Sequence, residues 1–156
     1  MSLLTYLTSL HAHGEWADRR LLEALRGAEA PVALRELAHV RGAQDIWLAR
    51  IEQRAPSLAV WPEFTVDELA TVGESIDMAM RDRLAQLTEP ELAEPVAYRN
   101  MAGESFSTPL SEILLHLMLH GHYHRGKASV ALRAATGAAV GVDYILWRRS
   151  VATDPR

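Results

Sequence analysis

Four of the seven histidines fall in one apolar run, Leu114-Leu115-His116-Leu117-Met118-Leu119-His120-Gly121-His122-Tyr123-His124-Arg125-Gly126-Lys127. A run of this length and polarity is a helix, and on a helix residues four apart share a face. His116, His120 and His124 therefore form a ladder. At about 100° per residue, His120 and His124 lie about 40° apart, inside the arc of Ile113, Leu117, Ala128 and Ala131. His116 sits at the edge of that arc, and His122 points roughly the other way, toward water.

Two imidazoles facing a core need partners for their ring nitrogens. Neutral imidazole is a ligand for zinc, nickel, copper or iron, and His at i and i+4 is the spacing of helix-borne zinc sites. The competing reading is one core histidine bonded to a backbone carbonyl and one half-exposed histidine. A metal reading also requires a third ligand from another element.

The remaining chain divides into helical segments. Residues 2 to about 27 carry the stripe Leu3, Leu7, Leu10, Gly14, Ala17, Leu21 and Leu25, with Ser2 as cap and Gly27 as stop. His11 lies near that stripe and His13 off it, so surface or edge positions are expected for both, with His11 able to line a pocket. A second helix is expected from Val32 to Ala55, between Pro31 and Pro56. His39 stands at the margin of its apolar arc, a weak ligand candidate by periodicity but the histidine this helix offers to the 120/124 pair. The connection Pro56 to Phe64 holds so many apolar groups that it must lie over something, a pocket mouth or the helix ends. Thr65 and Glu68 form a capping box for a third helix reaching about Thr88. Residues 90–108 read as a short hairpin turning at Asn100-Met101-Ala102-Gly103. Pro109 is expected at the first position of the fourth helix, which runs to about Ala135, and Val142–Val151 forms a short terminal helix.

The expected fold is thus all-α: a four-helix bundle with a β-hairpin inserted before the fourth helix and a short C-terminal helix, one domain over residues 1–156. Leu115, Met118 and Leu119 lie off the histidine arc, so the back of the fourth helix meets the core or a second subunit.

Composition narrows the function classes. With a net charge of −4 and no Lys/Arg run, nucleic acid is not an expected partner. No apolar stretch reaches membrane-spanning length and no secretion-signal pattern opens the chain, so the cytoplasm is the expected location. Cysteine is absent, which removes disulfides, thiolate ligands and a protein-borne thiol nucleophile. Glu15, Asp18 and Asp45 are the carboxylates available as bases, each read as a surface or helix-pairing charge, and Arg125 is read as a tie to a neighbouring carboxylate.

Several motifs in order resemble one family. His116-x3-His120-x3-His124-Arg125-Gly126, following Thr108-Pro109-Leu110, resembles the last long helix of DinB-like proteins. Glu15-Trp16-Ala17-Asp18-Arg19-Arg20-Leu21-Leu22 is similar to the family's first-helix W-A-N-x-x-L pattern, with Asp18 where Asn is commoner. His39-Val40-Arg41-Gly42-Ala43-Gln44-Asp45-Ile46-Trp47-Leu48 resembles its second-helix histidine and following Trp, and Tyr98-Arg99-Asn100-x2-Gly103 its hairpin. The likeness extends over nearly the whole chain. It implies a four-helix bundle, often dimeric, with a divalent-metal site on His39, His120 and His124. His116 would be a neighbour rather than a ligand, and His122 takes a variable position. Zinc or nickel is the expected ion, with iron and manganese as alternatives. Characterised relatives are thiol transferases and isomerases using bacillithiol, glutathione or mycothiol. The resemblance therefore implies a small-molecule substrate and a low-molecular-weight thiol cosubstrate, or water in a hydrolase. The alternative is a non-catalytic metal-binding or interaction protein.

Overall fold

The computed structural model describes residues 1–153. Its elements are α1 (Leu3–Arg26), α2 (Pro31–Ile51), α3 (Val66–Gln86), a 3-10 turn (Pro90–Ala93), β1 (Pro95–Arg99), β2 (Ser105–Pro109), α4 (Leu110–Thr136) and α5 (Tyr144–Thr153). The helical bundle with one hairpin is the architecture expected from the sequence. Ser2 caps α1 through Thr5 N, and Thr65 and Glu68 close the capping box of α3. Gly137 ends α4 in the left-handed conformation, φ 77°, which costs glycine nothing. β1 and β2 pair antiparallel, Pro95 opposite Pro109 and Arg99 opposite Ser105, and Gly103 turns between them at φ 83°.

The terminal helix lies two residues later than Val142–Val151, and two further boundaries differ. α2 ends at Ile51, not Ala55, because the chain turns at once, with Gln53 at φ 54° and Arg54 N bonded to Ala49 O. Pro109 does not open α4. It closes β2 and precedes the helix with extended ψ of 140°, and Leu110 N, the first helical N–H, donates to Glu94 O.

Two apolar clusters occupy opposite ends of the bundle. One gathers Leu21, Leu25, Leu37, Leu69 and Leu132, and the other Leu7, Leu48, Met80, Leu84, Leu114 and Leu117. Their order along each helix shows that α1 and α4 run one way and α2 and α3 the other. The connection 52–65 must therefore travel back along α2, about 31 Å for 21 helical residues, before α3 can begin. Fourteen residues span up to about 46–50 Å fully extended but about 21 Å as a helix, so the connection covers that distance as non-helical chain.

Between the clusters lies a buried polar layer. Arg125 on α4 grips Asp18 on α1 with Nε and Nη2, at 2.7 and 2.8 Å. Asp18 also meets Arg41 of α2 at 2.9 Å, and Arg41 holds both oxygens of Asp77 on α3, at 2.6 and 3.0 Å. Burial alone would raise the Asp18 carboxyl, but the two guanidinium groups outweigh it and hold it below the ordinary range. Room for Arg125 comes from Gly14 and Gly121: a Cβ on Gly121 would lie 2.6 Å from its Nη1. His11 and His13 are both buried, not at the surface, because α3 and the segment before α5 bring carbonyls to them. His13 Nε2–H donates to Val142 O at 2.7 Å, and His11 Nε2 lies 3.4 Å from Asp77 O.

Removing Asp18 leaves the buried Arg125 guanidinium without its carboxylate and takes one of two carboxylates from Arg41. Asp18→Ala is expected to cost about 3–5 kcal/mol in urea unfolding, whereas exposed Glu23→Ala stays within about 0.5 kcal/mol of the parent.

Candidate metal centre

The bundle topology brings the histidine face of α4 against α2. His39, His120 and His124 each offer a ring nitrogen, all within 4.8 Å of one another. The ring centroids stand 4.9 Å apart for His39 and His120, 4.4 Å for His39 and His124, and 4.5 Å for His120 and His124. His39 and His124 are buried, and His120 is half-buried.

The far nitrogen of two rings is committed. His39 Nδ1 lies 2.7 Å from Val60 O, and a carbonyl only accepts, so Nδ1 carries the proton and Nε2 the lone pair. His124 Nδ1 lies 2.5 Å from Glu36 Oε2, which likewise leaves Nε2 as the free lone pair. Lys127 Nζ reaches the other Glu36 oxygen at 2.7 Å. Burial works to raise the Glu36 carboxyl, but the bonds from Lys127 and His124 win and hold it below the usual range, charged. His39 Nε2 and His120 Nε2 face one another at 3.2 Å. Two imidazole nitrogens bound about 2.0–2.1 Å from one tetrahedral ion would be about 3.3–3.4 Å apart. Ring nitrogens converging at this spacing, with the outer nitrogens of His39 and His124 tied to acceptors, suit a divalent cation. Among the described residues no fourth His, Asp, Glu or Cys joins the group.

The two members sit unevenly in their environment. Burial, followed by the neighbouring His124 and His39, pushes His120 down to about 4, and burial chiefly lowers His39. His120 and His39 therefore offer neutral nitrogen at pH 7, without competition from protons. Trp61 lies flat on His39, centroids 3.8 Å apart at 14°, and Arg35 stacks on the outer face of Trp61 at 4.6 Å. Tyr123 meets His124 edge-on at 5.0 Å. Trp61 is 39% exposed and Tyr123 64%, so the cluster lies close under the surface.

The other expected site residues fall elsewhere. His116 stands outside the trio, edge-on to Trp47 and 5.4 Å from the His120 ring, and His122 is exposed. Asp18 and Asp45 are buried rather than superficial. Asp18 joins helices, as described, and Asp45 accepts from Ser57 N, Leu58 N and Arg54. Glu15 is held by Arg81 and lies 3.3 Å from His11. No free base remains among these three carboxylates. His11, Glu15 and Asp77 also come within ligand distance of one another, but Arg81 and Arg41 already answer the two carboxylates. Sequence reasoning missed Glu36, although Glu36-x-x-His39 puts it on the face of His39, one turn away. It also missed the Val60 carbonyl, for which no residue type leaves a sign.

Metal-free protein should lose stability as pH falls. The unfolded histidines bind protons near 6.5, while folded His120 does so near 4 and folded His39 and His116 also below 6.5. Between those values the unfolded chain holds more protons, so the neutral rings' stability is present above about pH 6.5 and drains away toward about pH 4. Asp18 and Glu36 extend the loss further into acid. Urea midpoints of the metal-free protein should fall steadily from about pH 7 to about pH 4.5, and His120→Gln should flatten that slope.

Comparison with known proteins bears on the family of the chain. A profile of the DinB family matches residues 14–155. Protein DinB of Bacillus subtilis (strain 168) is 37% identical over 57 residues, 36% of this chain and 33% of that protein. The match thus spans about a third of that relative's length. Since the family profile extends from the polar half of α1 to the end of α5, the chain belongs to the DinB family.

Proposed function

We propose that His39, His120 and His124 hold one divalent cation and that the protein is a metal-dependent enzyme acting on a small molecule. The observation that carries this reading is the convergence of ring nitrogens whose outer partners, Val60 O and Glu36, leave their lone pairs pointing inward. Three protein ligands and no fourth leave coordination positions for an exchangeable group, which is the pattern of catalytic sites. The half-buried His120 and the exposed rims of Trp61 and Tyr123 favour access over a sealed structural site.

Such an ion supplies Lewis acidity, so that a thiol or a water gives up its proton near neutral pH. The chain's own part is to hold and shield. Glu36 fixes the His124 ring and increases its electron donation, Val60 O does the same for His39, and the Trp61 ring excludes water from one side of His39. The chain has no cysteine, so a thiolate nucleophile has to arrive as a cosubstrate. That favours a low-molecular-weight thiol and transfer or isomerisation chemistry over a protein-borne thiol. Zinc and nickel suit three imidazoles best, and iron or manganese would fit the same donors. A non-catalytic metal-binding role keeps the same ligands and differs only in lacking turnover.

The outer face of α4 presents Leu115, Leu119 and Val130, all exposed and within one helical arc. A second copy of the chain is the proposed partner for it. Sedimentation at micromolar concentration should give a dimer, and Leu119→Glu a monomer.

Metal analysis of purified, untagged protein should find about one ion per chain. A His120→Ala, His124→Ala double variant should retain none while keeping its helical circular dichroism. Absence of metal in the parent, with no uptake of added zinc or nickel at neutral pH, would leave the trio as core histidines.

A further inference from the structure

The connection between α2 and α3 is more than a link. Because α3 starts at the same end of the bundle as α2, residues 52–65 lie along α2 in reverse order, and they meet three of its positions in turn. At the first, the buried Asp45 carboxylate accepts Ser57 N at 2.5 Å and Leu58 N at 2.8 Å, with Arg54 forked on its other oxygen at 3.2 Å. At the second, Gly42 has no side chain where the strap crosses. A Cβ there would stand inside contact distance of Ala59 O and 2.8 Å from Val60 O, both backbone atoms that no rotamer change can move aside. At the third, Val60 O takes the His39 Nδ1–H at 2.7 Å, while Trp61 covers the ring face. Asp45, Gly42 and His39 are three residues apart, on one side of the helix.

We infer that Gly42 and Asp45 are positioning residues for His39: they seat the strap so that Val60 O fixes the ring's tautomer and Trp61 its plane. The inference rests on the three-histidine site proposed above, and neither residue touches the ion. A hydrogen bond in the ring plane stops rotation about the Cβ–ring bond, and a stacked indole stops the ring from tilting. Together they leave His39 Nε2 one direction, toward His120. Without the strap, the Nδ1–H has water as its acceptor and either nitrogen can carry the proton. A carbonyl supplied by a loop is also adjustable, unlike the Glu36 carboxylate on α2 itself, so the strap is where the ligand set can be loosened without breaking a helix.

Outer partners of ligating histidines are worth about 10- to 100-fold in metal affinity. The test compares the parent with Gly42→Ala, Asp45→Ala and, as control, Gly27→Ala, a position where a Cβ meets nothing within 4 Å. Asp45→Ala removes the oxygen that accepts Ser57 N and Leu58 N, so it loosens the strap without crowding it. Zinc affinity is read by competition with a chromogenic chelator. The His39 tautomer is read in metal-free protein by two-dimensional 15N–1H NMR, and folding by circular dichroism. The expected result is zinc binding weakened about 10- to 100-fold in Gly42→Ala and Asp45→Ala, unchanged in Gly27→Ala. The parent's single Nδ1–H form of His39 should become a mixture in the first two alone. Folded variants that bind zinc within about twofold of the parent, or that keep the pure Nδ1–H form, overturn it. If the parent takes up no zinc, the metal reading fails and the tautomer decides alone: loss in both variants sustains the strap's role, and identical spectra in all four proteins end it.

Discussion

The chain of buried charges Arg125–Asp18–Arg41–Asp77 is the constraint on which the rest depends, because it joins all four long helices through groups that have nowhere else to go. Apolar packing alone tolerates sliding, since Leu against Leu is satisfied in several registers. Two guanidinium forks and two carboxylates are satisfied in one. A slip of one residue on any helix would leave a buried charge unpaired at a cost of several kcal/mol. Arg125 follows His124 directly, and Arg41 lies two residues beyond His39. Fixing those arginines therefore fixes which histidine faces which, and the register of the bundle and the geometry of the histidine trio are one quantity.

The polar layer also explains why the core is in two parts. A 24-residue helix such as α1 could be apolar along one whole face, yet its middle carries His11, His13, Gly14 and Asp18, all buried. The same holds for α2, buried from Glu36 through Asp45. Each apolar end cluster supplies the folding free energy through burial, and each also closes the polar layer against water. Inside it the effective dielectric is lower than at the surface, which strengthens the ion pairs and at the same time makes a protonated His120 or His39 unfavourable. Neutral imidazole at the centre is thus a consequence of the same desolvation that makes the arginine–aspartate chain strong.

How much of this was legible beforehand follows from what each signal measures. Caps and stops are local chemistry, and Ser2, Thr65 with Glu68, Gly27 and Gly137 all ended helices where the residues said they would. Helical spacing placed His120 and His124 on one face, because that depends on neighbours within two turns. The inward turn of His39 was legible only as resemblance, since its apolar arc leaves it marginal. His11 and His13 were misread because periodicity treats a polar residue off the stripe as wet, whereas α3 and the segment before α5 bring acceptors to them from 66 and 129 residues away. Pro109 is compatible both with a first helical turn and with the end of a strand, and the hairpin register decided for the strand. Gly42 has no local signature at all. Its meaning lies in backbone oxygens at 59 and 60 that reach it only because α3 starts beside the N-terminal end of α2.

Two clusters in this layer show that ligand-type residues at ligand distances do not by themselves make a metal site. His11, Glu15 and Asp77 are as close together as His39, His120 and His124. Around the first, Arg81 and Arg41 supply the positive charge, so an added cation would have to displace one guanidinium and repel the other. Around the second, Glu36 and Val60 O take up the outer N–H groups, and Lys127 lies beyond Glu36 with its charge spent on that carboxylate. The first cluster is electrically closed, and in the second His39 Nε2 and His120 Nε2 face one another at 3.2 Å. What separates them is whether the neighbours donate or accept, and by that criterion the α2–α4 cluster beneath Trp61 is the one suited to a cation.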